Sequence, residues 1–148
     1  MDRTFSDERE FRTFAAQFAQ RLTAGDVVGF SGPLGSGKTT FIKAIAQARL
    51  GSDPVSSPTF TFWHRYAAQG NRADGRDLVI DHLDLYRIED EREVAELGLE
   101  EAFDGTSIVL VEWWRNAPLL LPAVHYEVEI EGSGSGPRRV RITEPPAR

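Results

Sequence analysis

The most specific chemistry in this chain sits in eight consecutive residues. Positions 32–39 read Gly-Pro-Leu-Gly-Ser-Gly-Lys-Thr and fit G-x-x-x-x-G-K-[ST] without a mismatch. Small residues let the backbone curl into a nest whose N–H groups converge on phosphate oxygens. A helix starting near Lys38 adds unpaired N–H groups and the positive end of its dipole. Lys38 brings a compact cation to the β- and γ-phosphates, and Thr39 brings a hydroxyl oxygen for Mg²⁺. The chain holds fifteen Arg and only two Lys, Lys38 and Lys43, so a lysine kept in this motif stands out. The residues point to nucleotide phosphate binding.

Such a loop needs a second acid near the metal, usually at the end of a neighbouring apolar strand. Ser107-Ile-Val-Leu-Val-Glu112 supplies one, with Glu112 at the C-terminal edge where ligands bind in open α/β sheets. In Asp81-His82-Leu83-Asp84-Leu85-Tyr86-Arg87, strand alternation puts His82 and Asp84 on one face and Leu83 and Leu85 on the other. Asp84 is thereby a candidate for orienting a water or contacting Mg²⁺, or it is the polar end of an ordinary strand. Thr59, after Ser57-Pro58, either meets a γ-phosphate as a switch hydroxyl or simply begins a strand. Trp113 and Trp114 follow Glu112 and suit either base stacking, a partner surface or the core. His64, His82 and His125 have no metal-ligand spacing.

Several elements must position these groups. Phe11, Phe14, Ala15, Phe18 and Leu22 recur at helical spacing, so residues 6–23 are predicted to form an amphipathic helix. A buried strand over 27–30 precedes the Gly-rich loop, and a helix over 38–48, closed by Gly51, follows it. Residues 52–58 read as loop, with Pro54 and Pro58 as breakers. Residues 59–66 alternate polar and aromatic, as one half-buried strand. A polar turn over 69–76 leads to a strand over 78–85, a short helix over 90–97 and a central strand over 108–111. Residues 125–131 and 138–143 alternate around a Gly/Ser-rich tip, as a β-hairpin. No repeat, heptad array or second domain is visible, so residues 1–148 read as a single domain.

Composition sets limits on function. The length of 148 residues with 41% hydrophobic content suits one real core. A net charge of -6 argues against a protein that grips nucleic acid mainly through its phosphates. Absence of cysteine excludes disulfides and thiolate-held zinc or iron–sulfur sites. No apolar run approaches the ~18–20 residues that span a bilayer. The opening MDRTFSDERE is polar and acidic rather than signal-like, so a cytoplasmic chain is expected. Charge is uneven: residues 81–104 carry ten acids and two Arg, while 137–148 carry four Arg and one Glu. Both segments read as solvated surface.

GPLGSGKTT, SPTF, HLDLYR, ELGLE and VEW occur here in one order and spacing. In that combination the chain resembles the TsaE family (formerly YjeE), small ATPases of bacterial threonylcarbamoyladenosine synthesis, from about residue 6 to 142. The resemblance implies ATP and Mg²⁺ as ligands, slow hydrolysis by the isolated subunit, and TsaB and TsaD as partners. Those proteins place a threonylcarbamoyl group on adenosine 37 of tRNA, and the ATPase would reset TsaD between turnovers, with tRNA contacted indirectly. It also implies roles. Leu34, Gly35, Ser36, Gly37, Lys38, Thr39 and Thr40 would hold the phosphates, with Thr39 and Glu112 on Mg²⁺. Asp84 would be the acid needed for hydrolysis, Thr59 would sit in a switch-like loop, and Trp113 would lie by the nucleotide. Glu8 and Arg138, with Arg139 as an alternative to the latter, would complete the base pocket. The chain departs from the family at Trp114, commonly small or Pro, and at Phe11, often Thr.

The fold expected is a three-layer α/β P-loop domain with a mixed sheet, antiparallel edge strands and a C-terminal hairpin. A small-molecule phosphotransferase is the alternative activity. It needs mobile Arg groups, and Arg65, Arg72 and Arg76 flank one loop. A GTPase is disfavoured because no N-K-x-D motif is present.

Overall fold

Runs that are apolar on both faces belong between layers, and the two in this chain form the middle of the sheet. A computed structural model describes residues 1–51, 55–60 (backbone), 62–68, 78–118 and 124–144. In it β2 (Val27–Ser31) and β6 (Ile108–Glu112) lie parallel, with Val27 opposite Val109 and Phe30 opposite Glu112. β5 (Val79–Asp84) pairs in parallel with the other edge of β6, Asp84 opposite Glu112. β7 (Tyr126–Glu131) pairs in parallel with the other edge of β2. The antiparallel strands lie outside this core. β8 (Arg138–Thr143) folds back on β7, and β1 (Asp2–Phe5) adds to β8. On the far side β4 (Trp63–Ala67) pairs with β5, and β3 (Val55–Phe60) with β4. The eight strands run β1-β8-β7-β2-β6-β5-β4-β3, the mixed sheet with antiparallel edges that the sequence predicts.

Two expectations along the chain are corrected. Residues 52–58 are not all loop, nor is 59–66 one strand: β3 and β4 form a hairpin that turns around residue 62. Pro58 is tolerated because β3 is the edge strand, where a missing N–H need not break the sheet. The first helix, α1 (Glu8–Ala19), stops short of residue 23, and β1 precedes it. Asp7 caps α1, its side chain accepting from Arg9 N at 2.7 Å. The other end has no basic residue in its last turn, and Arg49 serves there instead. From α2 (Lys38–Leu50) its Nη1 donates to the Ala19 and Leu22 carbonyls at 2.6 and 2.5 Å.

Both α1 and α2 cover one face of the sheet. Phe11, Phe14, Ala15 and Phe18 are buried there, as the helical spacing predicts. Phe41 of α2 is fully buried at the centre of an aromatic cluster, with ring centroids 5.5 Å from Phe11 and 5.8 Å from Phe30. The other face is covered over its β2–β6–β5–β4 half by α3 (Arg92–Glu96) and two 3₁₀ turns, Leu99–Phe103 and Trp114–Asn116. Trp114 is core: a Cβ on Gly29 would stand 2.6 Å from its indole, so glycine admits the ring against β2. Among the described residues no helix is long and apolar enough to cross a membrane.

Candidate functional site: a nucleotide cleft at the C-terminal edge of the sheet

The Gly-rich loop leaves β2 and enters α2, so its position follows from the burial of Val28 and Phe30 on one side and Phe41 and Ile42 on the other. Gly32 has φ 143, and a Cβ there would stand 2.2 Å from the Ile130 carbonyl. Only glycine fits that passage between β7 and Ser36. Gly37, with φ 107, caps α2 in the left-handed region. The first bond into the helix is Phe41 N to Gly37 O, so the N–H groups of Lys38, Thr39 and Thr40 precede the intrahelical ladder. These amides, above a helix N-terminus, make an anion cradle.

Lys38 is 5% exposed and folded back on the loop, its Nζ donating to the Gly32 carbonyl and to that of Pro33 at 3.2 Å. Burial holds its ammonium below the ordinary lysine value, against the opposing pull of the Glu112 and Asp84 carboxylates. Trp113 lies over it, with Nζ 4.2 Å from the indole centroid. This tryptophan has φ 59, the one positive φ outside glycine among the described residues. The unusual backbone turns successive indoles to different jobs: Trp113 faces the loop and meets the Tyr86 ring at 5.1 Å, tilted by 51°, while Trp114 is buried below.

Leu34 to Thr40, Asp84, Tyr86, Glu112, Trp113 and Arg138 together line a cleft of about 360 Å³. Asp84 and Glu112 stand opposite each other on β5 and β6, so strand register alone brings the two expected acids together. A second cavity of about 250 Å³ continues from it, lined by Phe5, Asp7, Glu8, Phe11 and the hairpin tip at Gly134–Gly136. Gly37, Thr40 and Arg138 border both. Arg138 reaches across from β8, donating to Gly35 O at 3.3 Å and Gly134 O at 2.8 Å. Arg139 points elsewhere and pairs with Asp2 at 2.7 Å. Glu8 lines the second cavity. Thr59 lies in β3 where the register slips between Pro58 and Phe60, and its side chain is outside the described residues. So are Arg72 and Arg76.

Sequence reasoning missed the burial of Asp81 and the partner of His82. Asp81, on the face opposite His82 and Asp84, is fully buried and accepts from Trp63 Nε1, Arg65 Nε and Ser107 Oγ at 2.8, 2.9 and 2.6 Å. Its place beside Leu83 on the alternating strand was the available signal. His82 Nε2 meets Glu112 Oε2 at 2.7 Å. His125 is structural, its Nδ1 accepting from Val27 N at 3.0 Å.

The oxygen donors at the cleft suit a hard cation: a hydroxyl at Thr39 and carboxylates at Glu112 and Asp84. Mg²⁺ bound with phosphates usually takes one or two such carboxylates and keeps waters. Among the described residues no group of three His, Cys, Asp or Glu could hold a metal without such a partner ligand.

Comparison with known proteins agrees with this arrangement. The family described as "Threonylcarbamoyl adenosine biosynthesis protein TsaE" matches residues 5–140. A Bacillus subtilis protein named tRNA threonylcarbamoyladenosine biosynthesis protein TsaE is 38% identical over 141 residues, covering 95% of this chain and 83% of that protein. One of the same name from Mycobacterium bovis is 34% identical over 126 residues, covering 80% and 71%. The crystal structure of Bacillus subtilis YdiB superposes with a TM-score of 0.70 at 28% identity, covering 97% of this chain and 84% of that one. With the family's pattern spanning both the Gly-rich loop and the hairpin that closes over it, this chain belongs to the TsaE family.

Proposed function

We propose that this chain is a cytoplasmic, Mg²⁺-dependent ATPase of the tRNA threonylcarbamoyladenosine pathway. It serves TsaB and TsaD, resetting the transferase between turnovers while those partners hold the tRNA. The observation that carries the reading is the cleft in which Lys38 and the first-turn amides of α2 face Asp84 and Glu112. In this reading the triphosphate lies along residues 34–40, and the ribose and base occupy the adjoining cavity between Glu8, Phe11 and Arg138. Thr39 and Glu112 hold Mg²⁺, which when bound neutralises charge building on the β- and γ-phosphates.

Lys38 leaves the Gly32 and Pro33 carbonyls for the phosphates, a trade of neutral acceptors for charged ones. Asp84, half-buried and anchored by Tyr86 N at 3.0 Å, orients the attacking water. Its tie to the backbone keeps the carboxylate at the strand end. Slow hydrolysis by the isolated subunit follows if a partner supplies the remaining contact to the γ-phosphate, as added groups do in other P-loop systems.

The test is Mg²⁺-dependent ATP hydrolysis by the purified chain, with and without TsaB and TsaD, alongside multiple-turnover tRNA modification. Lys38→Ala should lose nucleotide binding and turnover with the fold intact. Asp84→Ala should keep ATP binding and lose hydrolysis. Wild-type ATPase in Lys38→Ala would sink the assignment. Phosphate transfer to a small acceptor, uncoupled from TsaB and TsaD, would favour a small-molecule kinase; of the Arg groups that reading needs, Arg65 is held by Asp81.

A further inference from the structure

His82 is a buried histidine that the reading above leaves without a task. It lies on β5 two residues before Asp84, on the same face of the strand. Its Nε2 is 2.7 Å from Glu112 Oε2, and the two side chains are only 10% and 7% exposed. On its other side Tyr66 stacks at 6.4 Å and 18°, with His64 also at 6.4 Å. Nδ1 meets no hydrogen-bond partner among the described residues, so the Glu112 contact is the one polar bond that fixes the ring. With Nε2–H as donor, the carboxylate gives up one oxygen to His82 and keeps Oε1.

Glu112 stands at a point of competing attractions. Its charge and that of Asp84 both act on the Lys38 ammonium. A free glutamate at this strand end has three rotatable bonds with which to reach that cation. The observed arrangement is different: Lys38 bonds the Gly32 and Pro33 carbonyls, and Glu112 bonds His82. The imidazole therefore holds the carboxylate back from the lysine and fixes which oxygen is left over. Partners behind a ligand carboxylate or histidine commonly set the ligand's orientation and the affinity of its metal.

We propose that His82 is a positioning residue for Glu112: its Nε2–H···Oε2 bond presents the second carboxylate oxygen to the cleft and thereby sets the affinity for the divalent cation that accompanies the nucleotide. The proposal rests on the Mg²⁺-nucleotide reading of this cleft. It assigns His82 no contact with substrate.

The experiment is a titration of MgCl₂ into the full-length chain with a non-hydrolysable ATP analogue, read by calorimetry and by tryptophan fluorescence. A parallel measurement of analogue binding in EDTA reports on the cradle alone. His82→Leu should need about 10–100-fold more Mg²⁺ for half-maximal effect, with binding in EDTA unchanged. His82→Gln places an amide N–H near the position of Nε2 and should recover most of that loss. Wild-type Mg²⁺ dependence in His82→Leu would overturn the proposal. So would equal losses in the Leu and Gln variants, with or without a lowered melting temperature, because packing rather than the donor would then be responsible. Absence of any Mg²⁺ effect in the wild-type chain would overturn the nucleotide reading itself, and the role of His82 with it.

Discussion

Asp81→Ala is the perturbation that best separates what holds this fold from what works in its cleft. The carboxylate is fully buried and satisfies three neighbours: the Trp63 indole N–H, the Ser107 hydroxyl and both Arg65 nitrogens, Nε and Nη2. Trp63 and Ser107 are themselves 4% and 1% exposed, so neither donor recovers water when the acceptor is removed. Each such orphan costs about 1–3 kcal/mol. Arg65 is 44% exposed along its side chain, and its released guanidinium can turn to solvent, a loss of at most about 1 kcal/mol. The total is about 2–7 kcal/mol, most of it from the two buried donors. Urea unfolding followed by circular dichroism reads this directly. With a slope of about 2 kcal/mol per molar, the midpoint should fall by roughly 2 M. Nucleotide binding by the folded Asp81→Ala fraction should survive, because Asp81 faces away from His82 and Asp84. A midpoint shift below about 0.5 M would refute the reasoning.

Three further outcomes are expected. Because burial lowers the Lys38 ammonium below its usual 10.5, the unfolded chain binds the extra proton in the window just under that value. Wild-type stability relative to Lys38→Met should therefore rise with pH through that window, and a flat difference in urea midpoints would contradict it. Gly32→Ala should cost about 2–4 kcal/mol and abolish nucleotide binding, since its Cβ meets the Ile130 carbonyl; calorimetry and urea melts check both. Arg49→Ala should cost about 1–2 kcal/mol and raise amide exchange at the end of α1, whose last carbonyls lose their donor.

Legibility in the sequence followed how local the determining physics is. The Gly-rich loop was readable because each position answers to backbone geometry or phosphate chemistry within eight residues. The inward face of α1 was readable from the spacing of Phe11, Phe14 and Phe18, though Leu22, buried beyond the helix end, made it look one turn longer. The β3–β4 hairpin was hidden because polar and aromatic residues alternate straight through its corner at Phe62, with no Gly or Asn to mark a turn. β1 was hidden because three of its four residues are exposed and its partner strand lies at the other end of the sequence. Asp84 and Glu112 could be nominated one at a time, but their meeting depends on the β5–β6 register. The same holds for His82, whose partner is thirty residues away. Between Arg138 and Arg139 the hairpin decides: Glu131 pairs with Arg139, which sends the adjacent side chain toward Gly35.

The placement of β1 also constrains the order in which the molecule can assemble. Its four residues pair with 138–141, and the Arg139–Asp2 bridge closes a separation of 137 positions. Contacts this distant in sequence incur their loop entropy before they return any stabilisation, and they slow folding accordingly. During synthesis β1 must wait, unpaired, for residues 6–137 to emerge, while β7 and β8 can close on each other at once across a short tip. Phe5 ends β1 and Arg138 begins β8, and both border the cavity beside the Gly-rich loop. The wall of the pocket is thus tied to the long-range closure of β1 on β8. A nascent chain would acquire the cradle for phosphate before it could grip the rest of a nucleotide.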